Sequence, residues 1–284
     1  MREAYILCVV GRQGGGKTYR QVQECLAYSK KRKVLVFDCN VPSGSYKDLP
    51  TIDYDCSLQD DYKHGKVVSD KSSTRTDVIK KWPEGVGARR VVNYRKDGNL
   101  MNAVEMNQTA LDMMEHFRDG MLVFEDMNAY LIGVRALKFL SNFLRVRHNR
   151  VDLVLIMQSA GALDPRIWGN TSLMRMHKTL DSVRTASIRK RIPHDKFEMV
   201  MLGELMVNEQ YENGNVYFFV YLEFRKYKII GSSVAILERA CTKYLNIFSA
   251  ELKSYMAENE IKDRSQAIKS WTEMCKKRYL DAPQ

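Results

Sequence analysis

The chain has 284 residues, 45% of them hydrophobic, and a formal net charge of +11. That is material for one large α/β domain plus an appendage, and the charge favours an anionic partner, nucleic acid first and a membrane surface second. No run approaches the roughly 18 apolar residues of a membrane span, the N-terminus reads as a core strand and not a secretory signal, and six Cys without C-x-x-C pairing read as reduced thiols.

From the N-terminus, Ala4-Tyr5-Ile6-Leu7-Cys8-Val9-Val10 is an apolar, β-prone run of the kind that forms a buried parallel strand. It leads into Gly11-Arg12-Gln13-Gly14-Gly15-Gly16-Lys17-Thr18, which fits G-x-x-x-x-G-K-[ST], the phosphate-binding loop known as Walker A. After Thr18 the spacing predicts an amphipathic helix, with Val22, Leu26 and Ala27 about one turn apart. Strand, loop and helix in that order are the context the motif requires. The residue types suit a triphosphate. Gly11, Gln13, Gly14, Gly15 and Gly16 present backbone amides to phosphate oxygens. Lys17 reaches the β- and γ-phosphates, and the Thr18 hydroxyl holds Mg²⁺. ATP and Mg²⁺ are therefore the expected cofactors.

Residues 33–38 read as a second buried strand, with Asp38 and Asn40 on the edge where ligands of open α/β sheets bind. These two either touch nucleotide or substrate or simply cap a loop. Residues 41–88 are polar and turn-rich, an insertion with little regular structure. A short strand is expected at 90–94, then a helix over 102–118 with Val104, Leu111, Met114 and Phe117 as its apolar positions. Residues 121–124 form a third buried strand ending in Glu125-Asp126, the Walker B pattern. One acid supports the Mg²⁺ shell and the other orients or deprotonates the attacking water. The usual order is Asp then Glu. Here it is reversed, so by position Glu125 takes the metal role and Asp126 the water role.

A helix over 135–147 precedes a fourth buried strand, 151–157, which ends in Gln158-Ser159. Gln158 either senses the γ-phosphate or lytic water, or caps the strand. Alternating strands and helices imply a mostly parallel sheet with helices on both faces. Further on, the sequence predicts a strand at 173–180, a short helix at 193–202, and a hairpin of 206–212 with 216–224 around Asn213-Gly214. Helices over 234–258 and 263–280 follow, the last with Ala267, Ile268, Trp271, Met274 and Cys275 on one face. The domain reading is 1–232 for the nucleotide-binding domain, with 41–88 as its insertion, and 233–284 for a helical extension.

Between Arg135 and Arg191, twelve Arg or Lys stand against Asp152, Asp164 and Asp181, an excess of nine positive charges. Such an excess suits polynucleotide phosphates, the ATP of a neighbouring subunit through an arginine finger, or simply a solvated surface.

The segment from Arg145 through Arg147, His148, Arg150 and Asp152 to Gln158-Ser159, followed by Leu163-Asp164-Pro165-Arg166, resembles the third conserved block of the HerA/FtsK superfamily. Together with Walker A and Walker B, it is most similar to the branch of viral genome-packaging and zonula-occludens-toxin-like phage assembly ATPases. The resemblance, which covers roughly residues 4–180, implies a RecA-like P-loop NTPase fold of the additional-strand (ASCE) type, with the catalytic strand between the Walker A and Walker B strands; the C-terminal hairpin and helical appendage are read from the residues beyond it. It implies Gln158 as polar sensor, Arg147 or Arg150 as a trans-acting finger, and a hexameric ring of identical subunits threading double-stranded DNA. A viral capsid or portal component would be a further partner, and the host cytoplasm or the virion the location. The function implied is an ATP-hydrolysing DNA translocase. The alternatives are a membrane-associated assembly ATPase acting on protein, and a nucleotide-binding scaffold that hydrolyses poorly.

Overall fold

The computed structural model describes residues 4–40, 44–52, 54, 62–63, 66–67, 79–80, 82, 86–95, 97–127 and 145–280. In chain order its elements are β1 (Ile6–Val10), α1 (Lys17–Ser29), β2 (Lys33–Asp38), β3 (Tyr62–Lys63), β4 (Lys66–Val67), β5 (Gly87–Val92), α2 (Ala103–His116) and β6 (Gly120–Phe124). There follow α3 (Arg145–His148), β7 (Asp152–Met157), α4 (Pro165–Asn170), β8 (Leu173–Met176), α5 (Ala186–Arg189) and α6 (His194–Glu212). The chain closes with β9 (Val220–Glu223), β10 (Lys228–Ile230), α7 (Val234–Ile247), α8 (Ser249–Glu258) and α9 (Arg264–Tyr279). Most of the helix expected over 135–147 lies outside the described residues.

Eight strands form one open sheet in the order β10-β9-β8-β1-β7-β6-β2-β5. β2 is parallel to β5 and to β6, and β6 is parallel to β7. β9 is antiparallel to β8 and to β10. The fold is thus α/β with a mostly parallel sheet, of the P-loop NTPase class. β7 inserts between β1, which leads into the phosphate loop, and β6, which ends in Glu125. That is the order the additional-strand fold requires. Every residue of β1, β6 and β7 is buried. Strands covered on both faces read as unbroken apolar runs, which is why these were legible from sequence.

By compactness the chain divides into two units, Met1–Leu7 with Gly16–Met157, and Cys8–Gly15 with Gln158–Gln284. In the first unit, α1 buries Lys17, Gln21 and Cys25, while Leu26 and Ala27 are exposed. The apolar face expected from Val22, Leu26 and Ala27 is therefore not the inner one. With Lys17 turned inward, the helical repeat brings Gln21 and Cys25 in behind it at i+4 and i+8. The Gln21 amide then lies near soft acceptors, 3.7 Å from Cys25 Sγ and 3.9 Å from Met121 Sδ. Helix α2 starts with a capping box between Asn102 and Glu105, and Val104 in its first turn is exposed. Asp152 ties three segments together: it accepts from Tyr5 N at 2.9 Å and from Tyr28 OH at 2.6 Å, and Arg32 Nη1 lies 3.5 Å away.

In the second unit, the hairpin expected around Asn213-Gly214 is overturned. Residues 206–212 are the end of α6, a 19-residue helix. Asn213 is its C-cap, and Gly214 has φ +86. Gly214 N donates to Tyr211 O at 3.0 Å and Asn215 N to Gln210 O at 2.9 Å, the two bonds of a Schellman motif. Asn-Gly satisfies a left-handed position in either setting, so the dipeptide alone cannot distinguish a hairpin from a helix end. The hairpin in this region joins β9 to β10, with Tyr227 left-handed at φ +51. The long C-terminal helix expected over 234–258 breaks at Phe248, and Tyr244 before the break stacks on Trp271 of α9 at 5.3 Å. In α9, Ala267, Trp271 and Cys275 are buried as expected, joined by Thr272 and Tyr279, while Met274 is exposed. Among the described residues no helix is long and apolar enough to cross a membrane.

Candidate nucleotide site

Gly16 is the N-cap of α1, held left-handed at φ +78 where a side chain would be strained. No side-chain oxygen caps the helix, and its first turn carries no acid. The first-turn amides and the positive end of the dipole thus face the loop without competition from a capping side chain. Lys17 is buried, at 8% exposure.

Thr18 Oγ1 donates to Glu125 Oε1 at 2.7 Å. Tyr46 OH donates to the other carboxylate oxygen, Glu125 Oε2, at 3.1 Å. Glu125 is buried, and burial pushes its carboxyl above the ordinary range; the bonds from Thr18 and Tyr46 pull it back down, Asp38 pushes it up and Lys17 pulls it down. A Thr hydroxyl and a carboxylate oxygen this close form a hard-oxygen pair that fits Mg²⁺, which takes one or two carboxylates and draws its remaining ligands from phosphate and water. Tyr46 was not foreseen. It lies in the insertion, 79 positions from Glu125, and no local pattern marks it.

The next residue, Asp126, is half-buried and left-handed at φ +42. A non-glycine residue at that angle turns the chain sharply away from the strand. The Cys39 thiol donates to Glu125 O at 2.9 Å. Burial first, then the charges of Asp126, Glu125 and Asp38, push that thiol up, which disfavours its thiolate. Asp38 is buried and paired with Arg90 Nη1 at 3.0 Å, and it also accepts from Asn40 N at 3.3 Å. Of the two roles open to Asp38 and Asn40, the contacts observed are those of a loop cap and an ion pair across β2 and β5.

In the second unit, Gly15 N donates to Arg12 O at 3.3 Å and Arg12 N to Lys178 O at 2.6 Å. Gly11 and Gly15 are buried, whereas Gln13 and Gly14 are exposed. Arg12 Nη1 donates to Tyr211 OH at 2.8 Å, and its guanidinium lies 5.4 Å from that ring. Gln158 is exposed just after β7.

Of the two finger candidates, Arg150 is exposed, left-handed at φ +57, and paired with Asp119 at 2.7 Å. Arg147 lies in α3, and its side chain is outside the described residues. The basic block is not a uniform surface. Arg175 is fully buried in β8. Arg166 pairs with Asp164 at 3.0 Å, and Arg189 lies 4.7 Å from the Phe197 ring. Arg135 and Lys138 are outside the described residues.

No protein-family model matches the chain, and no curated protein matches it. Among solved structures it is similar to the genome packaging NTPase B204 from Sulfolobus turreted icosahedral virus 2 in complex with sulfate (TM-score 0.48, 16% identity, 81% of this chain and 96% of that one). The same protein in complex with ATP-gammaS gives a TM-score of 0.48 at 16% identity, over 81% of this chain and 97% of that one. The N-terminal domain of zonular occludens toxin from Neisseria meningitidis gives 0.32 at 15% identity, over 65% of this chain and 81% of that one.

Proposed function

We propose that this chain is an ATP-hydrolysing DNA translocase of the genome-packaging type, working as a ring of identical subunits. The observation that carries the nucleotide part is the 2.7 Å bond between Thr18 and Glu125, which joins the end of the phosphate loop to the end of the Walker B strand. Thr18 and Glu125 would hold Mg²⁺, and the ion would neutralise charge on the β- and γ-phosphates. Lys17 would bind the γ-phosphate, with the amides of residues 11–16 around the chain of phosphates. Asp126 would orient the attacking water and take its proton, and Gln158 would sense the γ-phosphate. Arg147 or Arg150 of a neighbouring subunit would complete the site in trans.

The basic segment before and after β7 supports a polyanionic partner, and the motif resemblance favours double-stranded DNA. The test is ATP hydrolysis with and without double-stranded DNA at low salt. Strong stimulation is expected. Hydrolysis indifferent to DNA would refute the translocase reading and leave an assembly ATPase acting on protein.

A further inference from the structure

Two flanks of one exposed basic segment close on a single turn. Asp181, ahead of the segment, accepts from Gly161 N at 3.1 Å and from the Ser159 hydroxyl. Arg191, at its end, donates from Nη1 to Gly161 O at 2.6 Å. Gly161 is crowded: a Cβ there would stand 2.9 Å from both Asp181 Oδ2 and Ile188 Cδ1, so one of these side chains would have to shift. Behind the segment, buried Glu204 of α6 accepts from Ser182 Oγ and Val183 N, both at 2.7 Å. The turn thus gripped, residues 159–161, begins one residue after Gln158.

The segment presents charge outward and apolar groups inward. Arg184 and Lys190 are exposed, and among the described residues neither is in an ion pair. Val183, Ile188 and Ile192 are buried beneath them. A helix that lies on a membrane turns its Leu, Phe or Trp outward. Within 181–191 the large apolar residues Val183 and Ile188 face in; the exposed Leu180 lies just ahead of the segment, so the outward face of 181–191 itself is cationic and suits a polynucleotide.

We propose that residues 181–191 are the surface that receives nucleic-acid phosphates, and that the Gly161 junction couples its position to the turn after Gln158. Phosphate contacts of this kind are independent of sequence. This rests on the reading of the chain as a DNA-handling ATPase. It adds which of the many cations meet the DNA and how that contact reaches the nucleotide-sensing end of β7.

The test uses the full chain with Arg184→Glu and Lys190→Glu together, and separately Gly161→Ala. Binding of a labelled DNA duplex is followed by fluorescence anisotropy across a salt series, with thermal unfolding as the control for folding. The double variant is expected to bind at least about tenfold more weakly at low salt, and its slope of log affinity on log salt to fall by about two, at roughly 0.9 per phosphate contact. Gly161→Ala is expected to bind DNA but to lose stimulation of ATP hydrolysis by DNA. Unchanged affinity and slope in the double variant, with the wild type binding DNA, would overturn the surface and leave the translocase reading standing. Full stimulation in Gly161→Ala would overturn the junction. A wild type that ignores DNA at low salt, or binds only vesicles of anionic phospholipid, would remove the translocase reading and this inference with it.

Discussion

Replacing Tyr46 by Phe tests whether the carboxylate of Glu125 is held from both sides. Tyr46 is 1% exposed, so phenylalanine keeps the buried ring and removes only the hydroxyl. The lost bond is the 3.1 Å contact to Glu125 Oε2, while Thr18 still holds Oε1. A hydrogen bond to a charged acceptor contributes about 1.5–3 kcal/mol. At roughly 2–4 °C per kcal/mol for a chain of this size, the unfolding midpoint should fall by about 3–12 °C. The deficit should also depend on pH. Burial holds the Glu125 carboxyl above its ordinary range, so the folded protein binds that proton more tightly than the unfolded chain. Stability therefore declines as pH rises from the ordinary glutamate value through the raised folded one. Tyr46 pulls the folded value down, and removing it moves that value further up. The variant's deficit should be full above the raised value, where Glu125 is charged, and should contract as pH falls and the carboxyl protonates in both proteins. Thermal unfolding followed by circular dichroism in chelator-containing buffer, at mildly acid and mildly alkaline pH, measures both effects. A deficit that is absent, or the same at both pH values, would refute the reasoning.

Lys17→Ala should abolish ATP hydrolysis, because the γ-phosphate loses its main cationic contact; phosphate release at the wild-type rate would mean the loop is misread. Lys196→Met should lower stability by about 1–3 kcal/mol, since the buried ammonium donates to Trp168 O at 2.7 Å and Thr171 O at 2.9 Å at the end of α4, and relief from desolvating a charge offsets only part of that loss. Equal melting temperatures would count against this cap. Glu204→Leu should deprive the Val183 amide of the acceptor it meets at 2.7 Å, Glu204 Oε2, so hydrogen exchange at that one amide should accelerate; unchanged protection there would show the segment is held by other contacts.

The sheet was legible from sequence because its central strands carry their own signature. β1, β2, β6 and β7 are short apolar runs bounded by turns or polar residues, and the phosphate loop marks which one comes first. Periodicity failed where both sides of an element are covered. α6 buries twelve of its residues, among them Lys196, Glu204 and Glu209, so it shows no polar face from which its length could be read. The face of α1 failed for the opposite reason: its inner side runs through Lys17, Gln21 and Cys25, two of them polar, and apolar spacing pointed to Leu26, which is 43% exposed. Tyr46 was beyond local reading altogether, since only the tertiary fold brings the insertion to Glu125.

The reversed acids make sense on the same grounds. A sequence pattern ranks Glu125 and Asp126 only by their order after the strand. In the fold they differ in kind: Glu125 ends buried, with both oxygens bound by hydroxyls, and Asp126 sits half-buried on a left-handed turn. A carboxylate whose two oxygens are already directed by Thr18 and Tyr46 has little orientational freedom left to lose on meeting a cation. Asp126, on its turn, is half-buried, and a group that takes a proton from water needs contact with that water. Environment, not order, is what distinguishes Glu125 from Asp126 in the fold.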